Sequence, residues 1–176
     1  FSPDGKSLAS ASGDGTLAIF DRDGNLKKRL TGHSTNIAAF AWSPDGKMLA
    51  SGSEDKRIII HSTDGAIVKI LPEQMQSITA LEFTPDGKHL VVSERGQHVI
   101  VYNTATWKSD KVVKAHTDVV WDVAVAPDGQ TFATASKDRT IGIHRLDGTP
   151  VSRIGGFPGE IWTLAWSPDG KKIACG

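Results

Sequence analysis

Two stretches of the chain set an imidazole, a hydroxyl and a carboxylate at matching separations. His33, Ser51 and Asp55 make one trio and His116, Thr134 and Asp138 the other, with 22 residues from His to Asp in both. These are the residue types of a hydrolytic triad, in which the His takes the hydroxyl proton and the carboxylate orients the ring. That chemistry needs one exposed, activated hydroxyl beside an oxyanion site. A trio that recurs at fixed spacing reads instead as a structural part of a repeat. Other chemistry is weakly signalled. No Gly-x-Ser-x-Gly elbow, His-Glu-x-x-His pair, P-loop or dinucleotide glycine motif occurs. The six His residues do not cluster at metal-ligand spacing; four fall at repeat positions, and His89 and His98 are expected near strand ends and exposed. Asp21-Arg22-Asp23-Gly24-Asn25 begins like a calcium loop, but Gly32 stands where the bidentate acid would be, which favours a plain hairpin turn. No metal and no cofactor are expected.

The elements that position these residues follow from a period. Pro-Asp-Gly occurs with Pro at 3, 44, 85, 127 and 168, at spacings of 41, 41, 42 and 41 residues. A period of about 40–45 residues suits a four-stranded propeller blade. Within one period the pattern predicts strands over 37–42, 48–51, 57–61 and 66–71. Pro-Asp-Gly supplies the first turn, where Pro presets φ and Gly closes a type I turn. Asp64-Gly65, like Asp23-Gly24 and Asp147-Gly148, suits a tight hairpin needing φ > 0, and Asn103 to Thr106 fills that place in the third repeat. No segment has the length and periodicity of an amphipathic helix. The expected fold is all-β: a β-propeller of four-stranded antiparallel blades, about four of them. The repeats run roughly over 1–31, 32–72, 73–114, 115–155 and a partial 156–176 of one segment, 1–176.

The period and its residues resemble the WD-repeat family over the whole chain. The resemblance implies a buried hydrogen-bonded set in each blade: a His before the first strand, Ser or Thr on the second, Asp in the next turn and Trp on the third. On this pattern His33, Ser51 and Asp55 form one set, with His61 in the Trp place, and His116, Thr134 and Asp138 another, with His144 there. Ser10, Asp14 and Phe20 fit the first repeat, whose His would precede residue 1. The third repeat departs: Gln74 replaces His, Val92 replaces Ser, and Arg95-Gly96 occupies the turn. The Trp-Asp dipeptide is absent throughout. As a staple the set makes physical sense, because a buried imidazole needs partners for its nitrogens.

In the resembling family, partner contacts come from the start of each first strand and from the turn before the structural Asp. Six residues before each Pro stand Ala38, Thr79, Trp121 and Trp162; eight before stand Asn36, Ser77, Val119 and Glu160; the turn holds Gly13, Glu54, Arg95 and Lys137. The expected partner surface is Trp121 and Trp162, with Lys137, Glu160, Glu54, Asn36 and Arg95 around it. Two readings of the Trp pair stand side by side: a docking patch, or rings packed into the channel or against each other. Trp42 and Trp166, like Phe1 and Phe83, end first strands and are expected in the core. The basic run Lys27-Lys28-Arg29 suits a solvated edge strand, and Asp110 is read as a loop residue.

Twenty Lys and Arg balance twenty Asp and Glu, which gives no long-range field for nucleic acid or an anionic membrane. No apolar run approaches the roughly 18–20 residues that span a bilayer, and no charged-then-apolar segment suggests a signal peptide, although the chain begins with Phe1 rather than Met, so such a segment could precede it. Cys175 is the only cysteine, so no internal disulfide forms, which fits a reducing, cytoplasmic setting. The leading functional expectation is a non-catalytic scaffold that docks other proteins, the rest of the ring coming from the same chain or a second copy. Two alternatives stay open: a sensor or regulatory propeller of a larger enzyme or signalling chain, and a ligand-binding propeller with a site in its channel.

Overall fold

A computed structural model describes residues 1–176, which form seventeen strands and no helix. Two compact units share the chain, Phe1–Ile78 and Thr79–Gly176. The first holds a three-stranded sheet, β1 (Ser7–Ala11), β2 (Leu17–Asp21) and β3 (Leu26–Leu30). It also holds a four-stranded sheet, β4 (Ile37–Trp42), β5 (Met48–Ser53), β6 (Ile58–Ser62) and β7 (Ile67–Ile70). The second unit takes all but the first residue of β8 (Ile78–Phe83), which joins β9 (His89–Glu94), β10 (His98–Asn103) and β11 (Lys108–Lys114). Next come β12 (Val120–Val125), β13 (Thr131–Ser136), β14 (Ile141–Arg145) and β15 (Pro150–Ile154), then the pair β16 (Leu164–Trp166) and β17 (Ile173–Cys175). Every strand pairing is antiparallel between chain neighbours, the meander of a propeller blade.

Burial falls from the middle strands to the last strand of each sheet. Leu49, Ala50, Ile58, Ile59 and Ile60 are sealed from solvent, whereas all four residues of β7 are exposed. The middle strands are near-continuous apolar runs because both faces are covered. In the second unit β12 packs against both β9 and β16. The Pro-Asp-Gly turns share one geometry: the Gly46 amide donates to the Ser43 carbonyl at 2.8 Å, with Gly46 at φ 70°. The carboxylate of Asp45 then accepts the Ser43 hydroxyl at 2.6 Å and the Lys47 amide at 3.0 Å. Ser2-Asp4, Thr84-Asp86 and Ser167-Asp169 repeat the arrangement. The turn before the third strand also needs φ > 0, supplied by Gly15 in one sheet but by Lys56 and Arg139 in two others.

Candidate functional site

The two trios lie inside their sheets and hold strands together. His33 places Nδ1 3.0 Å from Asp55 Oδ2 and Nε2 2.9 Å from Ser51 Oγ. Asp55 also accepts the Ser34 amide at 3.0 Å and the Arg57 amide at 2.9 Å. Burial works to raise its pKa, but these amides and His33 more than offset it, so the carboxyl stays below its ordinary value. His116 repeats the geometry, with Nδ1 2.9 Å from Asp138 Oδ2 and Nε2 2.7 Å from Thr134 Oγ1. The carboxylate needs a donor, so Nδ1 carries the proton and Nε2 accepts. Burial pushes the His116 pKa down, so the contact is a hydrogen bond from a neutral ring rather than an ion pair. Burial opposes ionisation of Asp138 too, but the Thr140 hydroxyl, the Thr117 amide and His116 hold it at about 2. Both hydroxyls are sealed from solvent, since Ser51 and Thr134 have no exposed surface. A buried hydroxyl shared with a structural imidazole cannot meet a substrate, which removes the nucleophile that a triad requires.

Ser10 and Asp14 do not form such a set. Ser10 is exposed, and Asp14 turns its carboxylate to the Thr16 amide and hydroxyl at 2.9 and 2.7 Å. Without an imidazole between them the two side chains have nothing to share. In the third sheet Val92 is fully buried, so that position is filled by packing. Asp21 spends its oxygens on its own hairpin, accepting from the Asp23 and Asn25 amides and pairing with Lys27 at 3.0 Å. Asn25 and Lys27 hold its pKa at about 2.

The second unit brings four of the expected partner residues into one cluster. Trp121 and Trp162 stack with ring centroids 4.8 Å apart and planes 18° apart. The Arg95 guanidinium carbon lies 5.6 Å from the centroid of Trp121, and the Trp121 indole N–H donates to Glu160 Oε2 at 3.2 Å. Trp162 remains 59% exposed. Both rings owe their direction to β-bulges. The β12–β13 register slips between Val120 and Asp122, leaving Trp121 as the extra residue. Trp162 and Thr163 both donate to the Gly176 carbonyl, at 2.8 and 3.3 Å. A bulge breaks the alternation of a strand and re-aims a side chain. Val120 and Val123, like Ile161 and Leu164, can therefore both point inward while the Trp between them does not.

The other expected partner residues have bonds of their own, outside this cluster. In the first unit Asn36 Nδ2 donates to Glu54 Oε1 at 3.1 Å. Lys137 is exposed, its amide bonded to the Val119 carbonyl and its side chain to nothing. Four readings need correction. Phe1 is 80% exposed, because it belongs to no strand, while Phe83, which ends β8, is buried at 5%. Trp42 and Trp166 pack against the core as expected but stay half-buried rather than enclosed. His89 is half-buried and sits 3.5 Å from Asp110. Asp110 itself lies on β11, not in a loop. Sequence reasoning also missed Glu82 and Asp122, carboxylates that bond backbone amides of the next sheet. Their signal was an acid among apolar neighbours on a first strand.

A cleft of about 570 Å³ in the first unit is lined by Asp4, Lys27, Trp42 and Asp45 among others. Its carboxylates are held below their ordinary range by the Ser2 and Ser43 hydroxyls, which suits anchored turns rather than proton transfer near neutrality. No helix is long and apolar enough to cross a membrane.

Antiparallel four-stranded sheets at this period, stapled in this way, define a WD-repeat β-propeller. The family described as WDR19 first beta-propeller matches residues 1–156, and the WD domain, G-beta repeat, matches 148–176. The chain belongs to the WDR19 first beta-propeller family. It is similar to the protein transport protein SEC13 of Cryptococcus neoformans, 35% identical over 89 residues that cover 40% of this chain and 27% of that one. Coronin-7 of Rattus norvegicus is 37% identical over 67 residues, covering 37% of this chain and 7% of the relative. The WD repeat and SOCS box-containing protein 1 of Takifugu rubripes is 36% identical over 61 residues, covering 33% and 14%. The matched stretch is thus about a quarter or less of each relative's length.

Proposed function

We propose that the chain is a non-catalytic, cytoplasmic scaffold on which other proteins dock through the Arg95, Trp121, Trp162 and Glu160 cluster. Its repeats run over 1–31, 32–72, 73–114, 115–155 and 156–176, and it uses no cofactor. The observation that carries this reading is Trp162, which is stacked on a neighbour yet keeps 59% of its surface in water. An indole held rigid on one face loses little freedom when a partner covers the other, and Trp anchors contribute about 2 kcal/mol or more where a partner desolvates them. Glu160 and Lys137 would act at the rim, tuning association rate more than affinity. Asn36 and Glu54, bonded to each other in the first unit, would offer a polar contact of their own. The SEC13 relative is named as a protein transport protein, which agrees with a docking task.

The test is affinity capture by the full-length protein, with Trp121→Ala and Trp162→Ala beside the parent. Capture should weaken while the Tm stays close to that of the parent. If both variants unfold, the rings are core; if both fold and hold every partner, docking lies elsewhere.

A further inference from the structure

One stacked indole is on β12 and the other just precedes β16, so something must fix the second segment against the first at that height. Asp122 follows Trp121 directly in β12. Its Oδ2 accepts the Thr163 hydroxyl at 3.0 Å and the Leu164 amide at 2.9 Å, from the two residues that follow Trp162. Its Oδ1 accepts the Val123 amide at 2.9 Å. One carboxylate thus ties the residue after one Trp to the two residues after the other.

We propose that Asp122 is the positioning residue of the Trp pair, setting Trp162 against Trp121 through Thr163 and Leu164. The proposal concerns the same cluster as the docking reading and rests on it only for its effect on partners. Three observations support it. Five residues before each Pro the repeats carry Ala39, Ala80, Asp122 and Thr163, so the acid occurs only in the repeat where the Trp stack begins. No cation pairs with Asp122, and burial pushes its pKa up in spite of its three donors. The neighbouring seam carries a carboxylate too, Glu82, which accepts the Val125 amide at 2.7 Å, but only Asp122 takes both a hydroxyl and an amide, from the two residues that follow a stacked Trp. The neighbouring seam includes a contact from an uncharged hydroxyl, where Thr79 Oγ1 donates to the Val120 carbonyl at 2.8 Å. A carboxylate kept without a counter-ion is better explained by the two donors it holds in register.

Closely stacked indoles give an exciton couplet in far-ultraviolet circular dichroism, a signal that stability alone does not set. The Trp162→Phe variant defines its zero. The indole N–H resonance of Trp166, which donates to the Ala124 carbonyl at 3.0 Å, reports whether the same seam is intact. Asp122→Ala should lose most of the couplet while the Trp166 resonance stays in place. Asp122→Asn keeps an acceptor for the Leu164 amide and should restore most of it. Thr163→Val removes one of the two ties and should fall between. A full couplet in folded Asp122→Ala overturns the proposal. Should Asp122→Ala fail to fold, Thr163→Val decides: a reduced couplet supports the proposal and an unchanged one overturns it. If Asp122→Ala loses the couplet yet captures partners at the parent's level, the positioning role stands and the docking reading falls.

Discussion

Across from Ser51, in the sheet β4–β7, stands Ile59; across from Thr134, in β12–β15, stands Gly142. The imidazole, hydroxyl and carboxylate are otherwise bonded alike in the two sheets. The difference arises at the third-strand His. His61 finds a partner in the Thr31 carbonyl at 3.0 Å. Both nitrogens of His144 are buried without one, and its ring lies on Phe132 with centroids 5.5 Å apart. In that position His144 fills the space over residue 142. A Cβ on Gly142 would lie 2.7 Å from His144 Nε2 and 2.8 Å from Thr134 Oγ1. Next to Gly142 on the outer strand is Arg153, where the other sheet has Ile70 beside Ile59. Arg153 reaches in to the Thr140 hydroxyl at 2.8 Å. The same staple therefore sits in an apolar setting in one sheet and a polar one in the other.

The sharpest way to break this comparison is to exchange the paired residues. Gly142→Ile puts a branched side chain where no Cβ fits, and should cost about 3 kcal/mol or more in denaturant unfolding. If it is tolerated, the two settings are interchangeable. Next in size is the response to acid. Burial, then His116 and Arg153, depress the His144 pKa from 6.5 to about 4. A depressed folded-state pKa gives stability that is complete above pH 6.5 and lost as pH falls toward 4, by up to about 3 kcal/mol. Glu82 and Asp122 oppose this, since burial raises their pKa values and their protonation on acidification favours the folded state. His61 and His116, whose pKa values burial also lowers, act in the same direction as His144, so His144→Phe should reduce the fall in urea midpoint between pH 6.5 and 4 without abolishing it. A fall of the parent's size in the variant would assign the effect to other groups.

Removing the carboxylate should cost about 1–3 kcal/mol at either staple, because a buried imidazole loses its acceptor. Asp138→Ala should exceed Asp55→Ala, since the Thr140 hydroxyl loses its acceptor at 2.6 Å and Arg153 its anion at 3.8 Å. Equal values would mean that the polar surroundings of the second staple add nothing. The smallest effect is expected at Asp110→Ala, within about 0.5 kcal/mol, as Asp110 is itself exposed and its contacts with half-buried His89 and with Asn103 are long, at 3.5 and 3.3 Å.

The period and the turn residues were enough to read the sheets. Pro-Asp-Gly and Asp-Gly encode local backbone geometry, and local geometry is what a single sequence carries best. Lys56 and Arg139, at φ 66° and 67°, show the limit: tertiary packing imposes a left-handed turn that their residue types do not announce. The bulges at Trp121 and Trp162 had a signal in hindsight. Buried residues stand three apart, Val120 to Val123 and Ile161 to Leu164, where a plain strand would space them by two. Asp122 and Glu82 were harder to read, because their partners are amides about 40 residues away. The exposure of Phe1 could not be read from its repeat position, since that position is core where it ends a paired first strand, as Phe83 does, and Phe1 belongs to no strand.

The central claim is that stapled sheets carry a docking cluster rather than a catalytic one, and photo-crosslinking tests it most directly. A benzophenone side chain placed at residue 162 of the full-length protein is compared with one at 151, an exposed position on the outer strand β15. The account predicts discrete protein adducts from 162, diminished in Arg95→Ala and Glu160→Gln, and few or none from 151. Adducts of the same partners from both positions, or only from 151, would contradict it.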